Sequence, residues 1–345
     1  MTLVPVLRRL GALSIFVVLV GGSMAFPAAT ARAEEKVGIG IAPANDSGKP
    51  DGRTRFTYLA DPGQSATDHV RVTNTGTTAL KVTVSAADAY NEDNGDFSLR
   101  ANGEKQTGAS SWVTFDGKPE LQLTLPPRAA RTIPFTVRVP KDATPGDHAA
   151  GLLASATTGG QVTVQRRIAD RLYVRVSGKL QPLLTISSFS GVYHSGINPL
   201  DGSITVTSTV TNSGNVALEG TATMTAGTWF GLGVGQLYRS QLPEILPGNT
   251  STVSYEVSAV PQVGYAVVSL LVQGGISGDA PDPGPLPVIQ RDAFVLAVPW
   301  FLVGLIVIGV GVFLLIRWRR KRDQLYAEEW AAEEAPKKAQ EVGSL

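Results

Sequence analysis

The sequence contains no cysteine, so no disulfide bond can stabilise its fold. Stability must come from hydrophobic cores, and a chain of 345 residues is long enough for more than one. An excess of one charge is also missing, because 30 Lys and Arg residues against 29 Asp and Glu residues leave a formal net charge of +1. Nucleic-acid binding depends on attraction to phosphate, which this balance does not provide, so we expect no nucleic-acid partner.

Residues that usually carry catalysis are scarce. The only histidines are His69, His148 and His194, and none of them lies in a recognisable motif. The sequence has neither a Gly-x-Ser-x-Gly elbow nor a His-Glu-x-x-His zinc motif. Without cysteine and with scattered histidines, a zinc site is not expected. The sequence therefore predicts a protein that is not an enzyme and that uses no cofactor.

A long apolar run near the C-terminus predicts a membrane anchor. Residues 293–316 form a stretch of 24 residues without a charge, enough to cross a bilayer core as a slightly tilted helix. Basic residues follow at once and are typical of the cytoplasmic side of a membrane. They are Arg317, Arg319, Arg320, Lys321 and Arg322. We expect a single-pass plasma-membrane protein whose preceding domains are extracellular and whose basic tail, 317–345, is cytoplasmic.

The N-terminus fits export. Arg8 and Arg9 precede an apolar stretch over residues 10–26, and small residues lead up to Ala33. This order predicts a signal peptide over 1–33 that is cleaved from the mature protein. The alternative is an uncleaved N-terminal anchor, which would give the chain two membrane spans.

Between these segments the sequence has the patterning of β-strands. Apolar residues alternate with polar ones, as at Val70 and Val72, with the period of a half-buried strand. The run around Asn74 is similar to a later run around Asn212, and the other turn signals recur in the same order. Two such copies predict tandem immunoglobulin-like β-sandwiches. The predicted segments are 34–179 and 180–278 for the sandwiches, 279–292 for an extended Pro-rich spacer and 293–316 for the membrane helix.

An acidic segment in the first predicted sandwich is a candidate ion site. Asp88, Asp93 and Asp96 lie close together with intervening amides, and Ca²⁺ prefers clustered oxygen ligands. The alternative is a β-hairpin in which Asn94 and Gly95 make the tight turn and the polar neighbours face water.

Aromatic residues provide candidate binding surfaces. Trp229, Phe230 and Tyr238 lie among glycines in the charge-poor second sandwich, where they could contact a protein or a glycan. Trp112 offers the same possibility in the first sandwich. The alternative is that these rings anchor loops onto the hydrophobic cores.

Short motifs of the first predicted sandwich occur in a characteristic order. They are Val37-Gly-Ile-Gly-Ile-Ala-Pro43, Tyr58-Leu-Ala-Asp-Pro62, the turn at Asn74, Asp88-Ala89 with Asn94-Gly95, Leu125-Pro126-Pro127 and Arg171-Leu-Tyr-Val-Arg-Val176. This order resembles the N-terminal peptidoglycan-binding domain of the WxL-interacting proteins of Gram-positive bacteria. The resemblance implies binding to peptidoglycan and to WxL-bearing surface proteins. Trp300-Phe301-Leu302 spells the WxL signature inside the predicted membrane helix and is a chance match.

The leading hypothesis is a membrane-tethered, non-enzymatic protein that associates with peptidoglycan or another cell-wall glycan and with an exported surface protein. A first alternative is a membrane-anchored spacer or chaperone that pairs its sheet edges with strands of secreted proteins. A second alternative is a cell-wall hydrolase or transferase, which would require a perturbed carboxylate pair that includes Asp88 or Asp93.

Overall fold

The computed structural model of the protein describes residues 38–342 apart from 102, 159–163 and 278–280. The predicted signal peptide, 1–33, lies outside the described residues. The described chain forms two β-sandwiches followed by one apolar helix, which confirms the predicted fold class.

The first sandwich consists of two packed sheets. Its smaller sheet has the strand order β1-β3-β8-β6, and its larger sheet has the order β2-β10-β9-β4-β5, with β7 also paired to β4. The strands are β1 (Ile39–Ala44), β2 (Phe56–Ala60), β3 (Ser65–Asn74), β4 (Leu80–Asn91), β5 (Phe97–Leu99), β6 (Val113–Thr114), β7 (Glu120–Leu125), β8 (Ala130–Arg138), β9 (Gly146–Thr158) and β10 (Val164–Val176). A short 3-10 helix, Ala109–Trp112, precedes β6.

Alternation along these strands builds the first core. In β3 the inward side chains of Val70 and Val72 are fully buried, as their period of two predicts. Phe135 from β8 packs edge-on against Phe56 from β2, with ring centroids 5.2 Å apart. Burying each such ring stabilises the fold by about 2–3 kcal/mol, so this contact joins the two sheets.

The second sandwich has a three-stranded sheet, β11-β12-β15, and a four-stranded sheet, β14-β13-β16-β17. The strands are β11 (Leu184–His194), β12 (Gly202–Asn212), β13 (Leu218–Thr228), β14 (Gly233–Ile245), β15 (Thr250–Val260), β16 (Gly264–Gly275) and β17 (Val288–Ala297). Its core lies between the two sheets and includes Ile204, Met224 and Leu270, all buried.

The repeated asparagines hold equivalent positions in the two sandwiches. Asn74 ends β3 and Asn212 ends β12, and both are almost fully buried. The Asn74 side-chain amide donates to the carbonyls of Thr78 and Leu125, at 2.7 and 3.0 Å. The Asn212 amide donates in the same way to Val216 and Ile245, at 2.7 and 2.8 Å. Each asparagine thus ties two loops together at one end of its sandwich.

The structure corrects the predicted spacer and the start of the membrane helix. Residues 288–297 form β17, which pairs antiparallel with β16 from Val288 opposite Gln273 to Ala297 opposite Gly264. The apolar residues at 293–297 therefore belong to the second sandwich, where Val295 and Ala297 are buried. The described Pro-rich residues before β17 form a loop that folds back on the protein. Its Pro281 carbonyl accepts a hydrogen bond from Arg175.

The helix α1 (Trp300–Val342) follows β17 after only two residues. Among the residues that the structure describes, it contains the one segment long and apolar enough to cross a membrane, Trp300–Ala332. The predicted tail is not separate from it, because the helix continues through the basic cluster 317–322.

Candidate functional site

The Asp88 carboxylate is already saturated by donors. It lies at 7% exposure near the end of β4 and accepts hydrogen bonds from the backbone amides of Thr107, Gly108 and Ser110, at 2.7 to 3.0 Å. The Ser110 hydroxyl donates a fourth, at 2.6 Å. Burial raises the pKa of this carboxyl, but the hydrogen bonds outweigh burial and hold the pKa below its ordinary value. Asp88 therefore fixes the loop before β6.

The predicted ion ligands do not converge. Asp93 and Asp96 are exposed in the hairpin between β4 and β5, where Gly95 has a positive φ of 89° and its amide donates to Glu92. The Asp96 side chain accepts from the Asn94 amide at 2.8 Å. Among the described residues, no group of three His, Asp or Glu side chains is placed to hold a metal ion. Within the described ranges, the hydrogen bonds to the Asp88 carboxylate come from Thr107, Gly108 and Ser110 and not from a second carboxyl group.

This hairpin instead reaches the second sandwich. The Asp93 carbonyl accepts from the Thr252 amide at 2.7 Å. The Asn91 side chain donates to the Glu244 carbonyl at 2.7 Å and accepts from the Leu246 amide at 2.8 Å. The acidic segment thus belongs to a junction between the two sandwiches.

The centre of the junction is a small apolar cluster. Tyr173, Ala217 and Leu246 are buried there, with Phe97 and Ala149 packed against them. A polar contact beside this cluster also joins the two sandwiches: the Tyr173 hydroxyl donates to the Glu244 carboxylate at 2.5 Å. Burial, and then the Glu244 charge, raise the pKa of the Tyr173 hydroxyl, which stays protonated as this donor. The two sandwiches are therefore held in one orientation.

An open cleft of about 310 Å³ lies beside the junction. Residues of both sandwiches line it, among them Arg100, Thr107, His148, Asn215 and Asn249. The volume is at the lower end of the range for small-molecule and sugar sites. Its lining combines hydrogen-bond donors and acceptors with the Arg100 side chain.

The candidate aromatic residues lie in different surroundings. Trp112 is buried at 8% exposure in the first core, with its ring 4.7 Å from that of His148 at the cleft wall. Tyr238 is 40% exposed and packs on Tyr255, with centroids 5.0 Å apart. Trp229 and Phe230 are each 55% exposed in the turn between β13 and β14. These two therefore remain a candidate contact surface, whereas Trp112 supports the core.

Trp229 is nevertheless fixed in place. Its indole Nε1 donates to the Val263 carbonyl at 2.8 Å, and its ring contacts those of Phe230 and Tyr265 at 5.2 and 6.2 Å. The basic residues Arg317, Arg319, Arg320, Lys321 and Arg322 are all exposed along α1, at a distance in sequence from both sandwiches.

Sequence reasoning missed most of the junction. Tyr173 and Arg175 lie in the motif at residues 171–176, but the motif does not indicate their partners. Asp147 pairs with Arg175 across neighbouring strands of one sheet, whereas Glu244 meets Tyr173 through the packing of the two sandwiches. One signal was present: Arg175 is the single charged residue of the otherwise apolar stretch 172–176.

In the part of the chain that the structure describes, the fold is mostly β: two sandwiches with a cleft beside their junction, followed by one apolar helix. Residues 41–156 match the family model of the WxL-interacting protein, peptidoglycan-binding domain. The match lies in the first sandwich, runs from β1 into β9, and confirms the resemblance inferred from the motifs. A comparison with curated proteins gives no match.

Among the solved structures that the chain matches are two that contain fimbrial or pilus chaperones. The class 5 fimbriae chaperone CfaA is 12% identical, with 74% of this chain and 98% of that chain covered and a TM-score of 0.35. A chain of the Salmonella enterica SafA pilin–SafB chaperone complex is 13% identical, with 76% and 99% covered and a TM-score of 0.34.

Proposed function

We propose that the chain is a membrane-tethered, non-enzymatic surface protein whose first sandwich binds peptidoglycan. The observation that carries this proposal is the match of residues 41–156 to a peptidoglycan-binding domain. These residues form most of the first sandwich, including the strands that position the cleft. The apolar first part of α1, with basic residues from Arg317 onward in the same helix, supports a single span with the sandwiches outside the cell.

The inter-domain cleft is our proposed glycan site. Arg100 and His148 from the first sandwich offer hydrogen-bonding groups at its walls, and Asn215 lines it from the second. Sugars are recognised through such groups spaced around a concave surface. Because both sandwiches line the cleft, glycan binding should require the intact pair of domains.

The second sandwich is proposed to present a surface to another exported protein. Its charge-poor composition and exposed strand surface favour a protein partner. The resemblance to WxL-interacting proteins suggests a WxL-type partner.

The test is a sedimentation assay of the soluble fragment 34–297 with purified peptidoglycan. We expect retention of the fragment on the insoluble wall material, and a lower retained fraction for Arg100→Ala. Lys105→Ala is a matched control, since it removes one positive charge from an exposed position outside the cleft lining. Equal sedimentation with and without peptidoglycan would refute wall binding. Equal loss in the two variants would refute the cleft as the site.

A further inference from the structure

The end of the second sandwich that faces α1 is almost free of charge. Four connecting segments lie there: residues 195–201, 229–232, 261–263 and 298–299. Asp201 is their only charged residue. Their exposed apolar side chains are Ile197, Leu200, Trp229, Phe230 and Leu232, between 55% and 107% exposed. We call these four segments the helix-side end.

The outward face of the adjoining strands continues this apolar surface. Leu296 and Phe294 of β17 are 71% and 77% exposed, and the Phe294 ring lies 6.2 Å from that of Tyr265. Farther from the helix on the same face come Asp292 and Gln290, both exposed. Since a strand rises about 3.4 Å per residue, the apolar band on β17 is roughly 7–10 Å tall before polar residues begin.

The helix is tied directly to this end. The backbone amide of Trp300, the first residue of α1, donates to the Gln262 side chain at 3.2 Å. The Gln262 side-chain amide donates to Gly196 at 3.2 Å, and its backbone amide donates to Pro199 at 2.8 Å. The next residue, Val263, accepts the Trp229 indole. One short loop thus joins the helix start to two of the exposed apolar segments.

The apolar part of α1 is too short to leave a gap between the second sandwich and the bilayer. Between Trp300 and Arg317 lie the uncharged residues 300–316, which as a helix extend about 26 Å. A bilayer hydrocarbon core is about 30 Å thick. Because the uncharged segment is slightly short and no spacer precedes it, the first turn of α1 has to start at the lipid surface.

We propose that the helix-side end rests on the outer leaflet of the bilayer, with Ile197, Trp229 and Phe230 in the headgroup region. This inference depends on the membrane tether put forward above. Tryptophan, tyrosine and phenylalanine are suited to this interface, where their rings meet both water and acyl chains. The apolar band of roughly 7–10 Å on β17 is comparable with the depth, about 5–10 Å, to which amphipathic helices bury their apolar face in the membrane interface. The lipid surface would cover side chains that are otherwise left in water, and would hold the cleft at a fixed height.

The absence of native cysteine permits a direct test with single-cysteine variants. The full chain is reconstituted in phosphatidylcholine–phosphatidylglycerol nanodiscs that carry doxyl-labelled lipid, and each variant bears one NBD fluorophore. Ile197→Cys and Phe230→Cys report on the helix-side end. Leu305→Cys reports on α1, and the exposed Lys105→Cys reports on the first sandwich.

We expect doxyl lipid to quench the fluorophore at 305 strongly and those at 197 and 230 by about half. The fluorophore at 105 should be unquenched by lipid and fully accessible to iodide. Quenching at 305 without quenching at 197 and 230 would overturn the docking and leave the tether intact, as expected if the aromatics serve a protein or glycan partner. No quenching at 305 would overturn the tether and the docking together. Quenching at 105 as well would indicate general adsorption and also overturn the proposal.

Discussion

Arg175 on β10 and Asp147 on β9 face each other across the sheet and form a bidentate ion pair. The Arg175 Nε and Nη2 atoms donate to the two Asp147 carboxylate oxygens at 2.6 and 2.7 Å. The second of these oxygens also accepts the backbone amide of Ala217 from the other sandwich, at 2.8 Å. Both side chains are at most 7% exposed. One buried ion pair is therefore shared by the first fold and by the junction.

Asp147→Ala should destabilise the protein by about 3–5 kcal/mol, because it leaves the Arg175 guanidinium buried without its partner. Urea unfolding of fragment 34–297 measures the effect, and small-angle scattering should show a wider distribution of domain orientations. The exposed pair Arg100–Glu104 is the matched control, since its side chains are about half exposed. Glu104→Ala should cost at most about 1 kcal/mol. Similar small losses in both variants would mean that the junction does not depend on the ion pair.

Gly95 gives a second test of the junction. A Cβ atom there would lie 2.6 Å from Pro243 Cγ and would also collide with the Ser251 side chain. Gly52 has a similar positive φ, 85° against 89°, but nothing within 4 Å of the equivalent Cβ position. Gly52→Ala should therefore cost only the backbone strain of about 1 kcal/mol, whereas Gly95→Ala should cost clearly more. Thermal unfolding of the two variants checks this, and equal shifts would argue against close packing of the hairpin on the second sandwich.

Asp88→Asn distinguishes a structural role of Asp88, which holds the loop before β6, from calcium binding. The folded-state pKa of Asp88 is depressed, so its stabilising effect is present above its unfolded pKa near 4 and is lost as the pH falls through the folded pKa. An amide in its place must turn an NH₂ group toward backbone donors, which we expect to cost about 1–3 kcal/mol at pH 7.

The calcium hypothesis makes a different prediction for the same protein. If Asp88, Asp93 and Asp96 held an ion, added Ca²⁺ would raise the melting temperature and a chelator would lower it. We expect neither shift, because the Asp88 oxygens already accept four hydrogen bonds. A calcium-dependent melting temperature that Asp88→Asn abolishes would restore the ion site.

The architecture of each sandwich was accessible from the sequence, whereas its boundary with the helix was not. Asn74 and Asn212 mark equivalent turns because the side-chain amide of each donates hydrogen bonds to loop carbonyls. The residues around each asparagine therefore indicate the turn in the sequence. At 293–297, in contrast, both faces of β17 are apolar: Val295 faces the core and Phe294 faces outward. The alternation typical of a strand is hidden there, and the segment merges with the apolar helix.

At the candidate site, too, the sequence indicated some residues but not their surroundings. Trp112 and Trp229 are equally conspicuous in the sequence, but one is buried in a core and the other is half exposed on a turn. Composition cannot distinguish these cases, because burial depends on which strands pack together. The contact between Tyr173 and Glu244 joins residues 71 positions apart in different sandwiches, so no local pattern predicts it.

Asp170 provides a prediction about pH. Burial raises the pKa of its carboxyl to about 6, so the folded state binds its proton more tightly than the unfolded state does. Its effect on stability is therefore most favourable below the unfolded pKa near 4 and is lost as the pH rises through about 6. Asp170→Asn should raise the unfolding free energy at pH 7 by roughly 1–2 kcal/mol after solvent screening, with almost no gain at pH 4. Asp142→Asn, at an exposed position, is the matched control for the substitution, and urea unfolding at pH 4 and pH 7 compares the two variants.

The last strand decides where a soluble fragment can end. A fragment that stops at 278 would follow the domain boundary expected from the sequence but would remove β17, which pairs with β16 from Gly264 to Gln273. That removal exposes an apolar sheet edge and leaves the core without Val295, which is 2% exposed. We expect fragment 34–278 to lose on the order of 5 kcal/mol of unfolding free energy and to aggregate, because an uncovered edge pairs with other chains.

Fragment 34–297 should elute as a monodisperse species with one or two sharp unfolding transitions. Size-exclusion chromatography and urea unfolding compare them, and equal behaviour would mean that β17 contributes little to the sandwich. Wall-binding measurements on the shorter fragment would then be valid too, whereas with the expected result only the longer fragment can report on the cleft.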